Sequence, residues 1–201
     1  SNTLGDELKK PCKGRSKVFS IGLETEAAID AGGLSADAAL WMDDTSGKWC
    51  SSTYYNYMPS WLQKINDYGL FETNNGKNGW RPKFPLSRYV YMPHQKNPGF
   101  FSYALSFING TGYRDFKQTP MANTELNQLA LELIDQEKLG EDEYPDLLIL
   151  HFNTGSQLSG NDSRAALEMQ DLYFRLDQDL GWLLKEIDRK IGLDNVLVYL
   201  C

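Results

Sequence analysis

The sequence predicts an α/β domain: a largely parallel sheet flanked by helices and interrupted by an irregular, aromatic-rich insertion. Three observations carry this. The runs Pro145-Asp-Leu-Leu-Ile-Leu-His-Phe152 and Asn195-Val-Leu-Val-Tyr-Leu200 are almost unbroken apolar stretches, as strands covered on both faces are. Between them, Leu172, Leu176, Leu180, Leu183, Leu184, Ile187 and Ile191 recur at helical spacing with charge on the opposite side. Strand, helix and strand in that order make a parallel crossover unit. Sheets of this kind place ligands beyond the carboxyl ends of their strands, here the loop Asn153-Thr-Gly-Ser-Gln-Leu-Ser-Gly-Asn-Asp162.

The elements follow from the amino end. Residues 1–15 are polar and read as a flexible lead-in, with Ser1-Asn2 resembling what a protease leaves behind on removing a tag. Residues 16–201 read as one domain. Lys17-Val-Phe-Ser-Ile-Gly-Leu23 is a strand, and Glu24 to Gly33 a small-residue connection with a short helical turn. Ala38–Asp43 and Lys48–Tyr55 form a hairpin across Asp44-Thr-Ser-Gly47, whose residue types reverse a chain. Pro59 opens a helix with Trp61, Leu62, Ile65 and Tyr68 on one face, and Gly69 closes it. From about 71 to 114 the periodicity fails amid Gly, Asn, Pro and aromatic residues; a loop that long without structure is unusual, so a small packed insertion is expected. Asn123 or Thr124 caps the next helix, with Leu126, Leu129, Ala130, Leu133 and Ile134 inward, and Gly140 ends it. The last helix spans about Ser163 to Lys190.

Composition narrows the partners. The chain has 201 residues, 41% hydrophobic and 23% charged, with a net charge of −7, which disfavours nucleic acid or anionic lipid as the main partner. No apolar run is long enough to span a membrane. Cys12, Cys50 and Cys201 lie far apart with no C-x-x-C pair, so a cysteine zinc site is not expected, and whether any two of them pair is left open.

Several motifs resemble known chemistry and fail on inspection. His151, Ser156, Ser159 and Asp162 are close in sequence, but the G-x-S-x-G spacing of a nucleophile elbow is absent. His151 sits within a strand and is expected to pack on a sheet face. Gly155 and Gly160 are spaced as in a phosphate loop, yet Asn161-Asp162 follow where Lys and Ser or Thr are required. Glu24 and Glu26 are the clearest carboxylate pair: on a continuing strand they would point the same way and could bind a metal or serve as acid and base, although a solvated pair is the commoner outcome. With only His94 and His151 in the chain, a histidine-rich zinc centre is poorly provided for. Asn109-Gly-Thr111 and Asn161-Asp-Ser163 match the glycosylation sequon.

One resemblance spans most of the chain. The run Ala36-Asp-Ala-Ala-Leu-Trp-Met-Asp-Asp-Thr-Ser-Gly-Lys-Trp-Cys-Ser-Ser-Thr-Tyr-Tyr55 is followed by Met58-Pro-Ser-Trp-Leu62. Lys117-Gln-Thr-Pro-Met-Ala-Asn-Thr124, Tyr144–Phe152 and Asp171–Leu180 come later. In order and spacing they resemble the type I phosphodiesterase/nucleotide pyrophosphatase branch of the alkaline phosphatase superfamily, from about Ser16 to Leu200. The resemblance implies an alkaline phosphatase-like α/β fold, a periplasmic or exported setting, and hydrolysis of phosphate esters with two zinc ions and a Thr or Ser nucleophile. It places that nucleophile before Ser1 and an Asp-His-Gly metal loop after Cys201. It also implies an Asp and a His four residues apart after the strand Leu147–Phe152, and an ungapped alignment puts Ser156 and Gly160 there. A Lys-x-Arg pair that holds phosphate falls on Glu24 and Glu26, and a Gly-His pair on Gly33-Leu34. Neither Ser156 nor Gly160 supplies what zinc takes, and two carboxylates in place of two cations repel phosphate. The expectation is therefore a segment without catalytic or metal-binding residues of its own. Glu24, Glu26, Asn153, Thr154, Ser156 and Asp162 would then form a ligand- or partner-binding rim.

Overall fold

The computed structural model describes residues 2–55, 58–68, 79–89, 101–103, 112–155 and 165–201. Among these the sheet has four strands in the order β3-β2-β1-β4: β1 Val18–Gly22, β2 Ala38–Met42, β3 Trp49–Cys50 and β4 Leu147–His151. β1 pairs parallel with β2 (Phe19 opposite Ala38) and with β4 (Val18 opposite Leu147), while β3 is antiparallel to β2. This is the expected α/β architecture. β1 is central and buried throughout, which is why it carries Val, Phe and Ile with no polar face. Its one polar residue, Ser20, is satisfied by donating to the Ala28 carbonyl at 2.5 Å.

Ala28 lies on a helix that the sequence reading rendered only as a connection with a helical turn. α2 runs Thr25–Gly32. Its residues are too small to advertise an apolar stripe, but their smallness lets the helix lie close on β1. A methyl group at Gly32 would come within 2.7 Å of Ser20 Oγ. The polar lead-in also differs from expectation. Leu4–Lys9 form a helix, α1, started by a reciprocal capping box between Thr3 and Asp6. It is seated where Gly5 meets Val18 and where the Asp6 carboxylate accepts the Ser35 N–H at 2.7 Å.

The hairpin forms as read, although its second strand is only two residues long and gives way to a 3-10 turn at Thr53–Tyr55. Asp43 organises the turn, accepting from Thr45 N, Ser46 N and Ser46 Oγ. Gly47 is required there twice over: its φ is +67°, and the Tyr113 ring occupies the space of any Cβ. α3, Ser60–Tyr68, buries Trp61 and Leu62 as predicted, but Tyr68, expected beside them, is exposed at the helix end, and Gly69 lies outside the described residues.

Of the insertion, residues 71–78, 90–100 and 104–111 lie outside the described residues. The remainder consists of an isolated bridge between Trp80 and Tyr103, a 3-10 turn at Leu86–Arg88 and the helix α4, Gly112–Lys117. One buried carboxylate, Asp171, holds residues 80–89 to the last helix. It accepts from Trp80 Nε1 (2.7 Å), Lys83 N (2.7 Å), Tyr89 Oη (2.6 Å) and Arg175 Nε (2.8 Å).

α5 spans Pro120–Glu137, with Thr119 at its N-cap position making no side-chain capping bond and Pro120 in its first turn. This corrects the expected cap at Asn123 or Thr124. Proline costs nothing at a position whose N–H has no helical partner, which frees both residues for other contacts. The helix ends at Glu137 with Lys138 in the left-handed region, before Gly140. α6, Ala165–Lys190, buries Leu172, Leu176 and Leu183 against the core; full burial of each such side chain contributes about 1.5–3 kcal/mol.

The expected final strand is not formed. Leu193–Asn195 make a 3-10 turn, and Leu197, Tyr199 and Leu200 stand 96%, 83% and 74% exposed. β-rich sequence adopts a strand only where it can pair and half-bury its side chains, and among the described residues these pair with nothing. Among the described residues β4 pairs only with β1, and its leucines are half-buried rather than buried on both faces.

Candidate functional site

The carboxyl ends of β1, β2 and β4 converge on Lys117, the last residue of α4. Its side chain is only 3% exposed. The ammonium donates to Asp44 Oδ1 at 2.5 Å and lies 3.5 Å from Glu24 Oε2. Glu24 caps α2 just beyond β1, and Asp44 begins the turn just beyond β2. Arg114, one turn earlier on α4 and largely exposed, approaches Asp44 at 3.4 Å. The Lys117 ammonium holds the Asp44 carboxyl below the usual carboxylate range, against an upward push from burial. Asp43 is also lowered, first by the Ser46 hydroxyl and amide. Both remain ionised, so this end of the sheet is anionic and its buried cation is engaged by two carboxylates.

The third strand end is fixed by an asparagine pair. Asn123, freed from capping, donates through Nδ2 to the Asn153 carbonyl at 2.9 Å and accepts the Asn153 N–H at 2.8 Å. Asn153 in turn donates to the Lys117 carbonyl at 2.9 Å and accepts from the Gly155 N–H at 2.8 Å. The loop after β4 is thereby fastened to both α4 and α5. Behind it, Thr124 donates to Asp179 at 3.0 Å.

Of the predicted site residues, Glu24 and Asn153 come together around Lys117. Thr154 follows in the same loop and is exposed. Glu26 does not pair with Glu24 as on a strand, because β1 ends at Gly22 and Glu26 falls in the first turn of α2; helix residues two apart do not face each other. His151 is exposed at the end of β4 rather than packed on a sheet face. Ser156, Gly160 and Asp162 lie outside the described residues. Asp44, Lys117 and Asn123 were not singled out, since they are separated by up to about 80 positions in sequence. A lysine and asparagines interrupting otherwise apolar helix faces were the available signal.

No family model matches the chain. It is similar to alkaline phosphatase PafA of Elizabethkingia meningoseptica, 29% identical over 212 residues, covering 100% of this chain and 39% of that protein. It is also similar to a calcium-transporting ATPase of Myroides odoratus, 28% identical over 213 residues, covering 99% of this chain and 39% of that protein. The crystal structure of a PafA variant carrying four substitutions matches with a TM-score of 0.84 at 29% identity, over 97% of this chain and 40% of that one. The chain is an alkaline phosphatase-like segment. It spans about two fifths of the length of these relatives. In the PafA variant, a lysine and an arginine two positions apart are among the replaced residues.

The alkaline phosphatase-like fold raises the question of metal, and the described residues do not fit one. Among them no three His, Cys, Asp or Glu side chains are grouped to hold an ion. Asp44 is committed to Lys117, and the described part of the loop after β4 offers Asn153 and Thr154, an amide and a hydroxyl. Neither is the anionic oxygen or imidazole that a zinc centre takes.

Proposed function

We propose that this alkaline phosphatase-like segment is catalytically degenerate and serves as a ligand- or partner-binding part of its protein. The observation that carries the reading is Lys117. It is buried, bound by Asp44 and flanked by Glu24, so it presents no free positive charge to an incoming phosphate. The reading also takes Glu24 and Glu26 to stand where the phosphate-holding Lys-x-Arg pair is placed in relatives. A dianionic phosphate would then face carboxylates on the β1 and β2 ends, an unfavourable juxtaposition worth several kcal/mol where solvent is excluded. A ligand suited to this rim is neutral or carries positive charge, and Asn153 and Thr154 would supply hydrogen bonds to it. Membership of the type I phosphodiesterase/nucleotide pyrophosphatase branch and an exported or periplasmic setting belong to the same proposal, supported by the sequence motifs and by phosphatase relatives. Among the described residues no helix is long and apolar enough to cross a membrane.

A second reading is favoured by one observation, the segment's coverage of only 39% of an alkaline phosphatase. In it, the nucleophile and a two-zinc centre are supplied by polypeptide outside these residues, and the protein hydrolyses phosphoric esters. Zinc titration of the purified chain, with a nitrophenyl phosphate assay on the same sample and on the longest polypeptide its reading frame encodes, separates the two. The first reading expects no stoichiometric zinc and no hydrolysis in either. Zinc uptake with ester hydrolysis in the longer polypeptide would overturn it in favour of the second.

A further inference from the structure

We propose that residues 81–88, with the tyrosines beside them, are a docking surface for a short acidic segment of a partner protein. The surface shares no residue with the carboxyl-end site, so the inference goes beyond the function proposed above and stands whether or not that site is catalytic.

Charge is segregated along the sequence. Residues 71–114 carry six of the chain's 20 Lys and Arg side chains but only one, Glu72, of its 27 Asp and Glu. Within the described part of that stretch, Arg81, Lys83 and Arg88 are all exposed. Several cations elsewhere are matched by carboxylates: Lys9 meets Asp37 at 2.8 Å, Lys10 meets Glu7 at 2.6 Å, and Lys117, Arg175 and Lys190 each hold one. Among the described residues Arg81, Lys83 and Arg88 form no ion pair, and each is held by a neutral group. Arg81 Nε donates to Ser102 Oγ at 3.1 Å, Lys83 Nζ donates to Gln178 Oε1, and the Arg88 guanidinium lies 5.7 Å from the Phe84 ring centroid. A neutral partner orients a cation without cancelling its charge. The carboxylates of α6 beneath the stretch are engaged. Asp171 accepts from its four donors. Burial raises the Asp179 pKa, and the Thr124 hydroxyl, Lys83 and Arg175 oppose the rise. Lys83 is thus partly offset, and Arg81 and Arg88 carry most of the surface charge.

The stretch is presented rigidly. Asp171 fixes it at Trp80, Lys83 and Tyr89, Pro82 and Pro85 restrict its backbone, and Leu86–Arg88 close a 3-10 turn. Groups already in place lose less freedom on binding. Two rings adjoin the cations. Tyr103, 46% exposed, follows Ser102 and bridges to Trp80. Tyr173, 50% exposed, precedes Phe174, which packs on Phe84 and Tyr89. Arg and Tyr are the residues enriched at the centres of protein interfaces. The rest of the molecule selects among anionic partners. A nucleic acid, an acidic polysaccharide or an anionic membrane would run past a stretch that reaches at most about 28 Å. It would then meet the acidic remainder of the chain, whose charges act over about 8 Å at physiological salt. A short acidic segment covers the cations and stops.

The test is fluorescence anisotropy at low salt with a fluorescein-labelled decaglutamate peptide as the probe, and heparin and oligothymidylate as competitors. The chain is expected to bind the peptide, and Arg81→Ser/Lys83→Ser/Arg88→Ser to weaken binding by about tenfold or more. Lys10→Ser/Lys13→Ser/Arg15→Ser removes as many exposed cations from the lead-in and should weaken it less than about twofold. Arg81→Lys/Arg88→Lys, which keeps the charge, should bind better than the serine variant, and unchanged urea midpoints show that each variant is folded. Equal weakening by the two triple serine variants would overturn the proposal, because net charge alone would then explain the binding. So would a peptide that does not bind, or heparin or oligothymidylate bound more tightly than the peptide at equal charge, which makes the partner a long polyanion. Self-association of the chain that the serine variant at 81, 83 and 88 abolishes would overturn it too, since the acidic partner would be a second copy.

Discussion

Lys117 illustrates how a single side chain sets the character of the sheet's carboxyl end. Removing it in Lys117→Met would strip Glu24 and Asp44 of their shared buried cation and leave Asp44 only the exposed Arg114 guanidinium. Charge-assisted hydrogen bonds of this kind contribute about 1.5–3 kcal/mol, and the partial exposure of Asp44 argues for the lower part of that range. Urea denaturation should register the loss, and Asp44→Asn should show a smaller one. Glu125 is the other residue with an outsized role. It is 1% exposed on α5, one carboxylate oxygen has no hydrogen-bond partner, and burial raises its pKa to about 7. The folded protein therefore holds a proton that the unfolded chain, with an ordinary carboxylate, releases at lower pH. The corresponding stability is fully present below the ordinary value, declines as pH rises, and is gone once pH passes about 7. At ~1.4 kcal/mol per pKa unit the decline amounts to about 3 kcal/mol. Glu125→Gln should flatten this limb of a stability-versus-pH curve and make the protein more stable than wild type at pH 8. An unchanged curve would mean that Glu125 finds a partner in solution.

At the scale of elements, the contact that matters most is the one between residues 80–89 and α6. Four donors on Asp171 outweigh its burial and leave its pKa below the usual range. The sign is opposite to that of Glu125: the stability is present above the ordinary carboxylate pKa and is lost as pH falls through the depressed folded value. Asp171→Asn should release residues 80–89, read as faster amide exchange in that peptide with β1 unaffected, and should weaken the acid dependence of unfolding. What the sequence disclosed of the elements divides along the same physical lines. β1, β2, β4 and the apolar faces of α3, α5 and α6 were legible because their burial is written as periodicity. α2 was not, because alanines and glycines can pack a helix tightly without an apolar stripe. The start of α5 was misplaced because Asn123 looks like a cap, while it is Thr119-Pro120 that stops the preceding chain. The final strand was misread because strand formation depends on a neighbour that sequence pattern does not reveal.

For the whole molecule, the fold is that of an alkaline phosphatase-like segment in which, among the described residues, β3 and β4 are the outer strands of the sheet. The candidate site was half legible. Glu24 and Asn153 could be singled out because they follow apolar strands. Lys117, Asp44 and Asn123 could not, since only the fold brings residues from α4, β2 and α5 to one point. On the function proposed above, the carboxyl end of this sheet rejects phosphate because its carboxylates outnumber and neutralise its cations. Isothermal titration of inorganic phosphate into the wild-type chain and into the Glu24→Lys/Glu26→Arg variant tests it most directly. Wild type should give no saturable binding, and the variant should bind with a Kd on the order of 1 mM, an affinity of about 4 kcal/mol. Saturable phosphate binding by wild type, equal to or tighter than that of the variant, would contradict it.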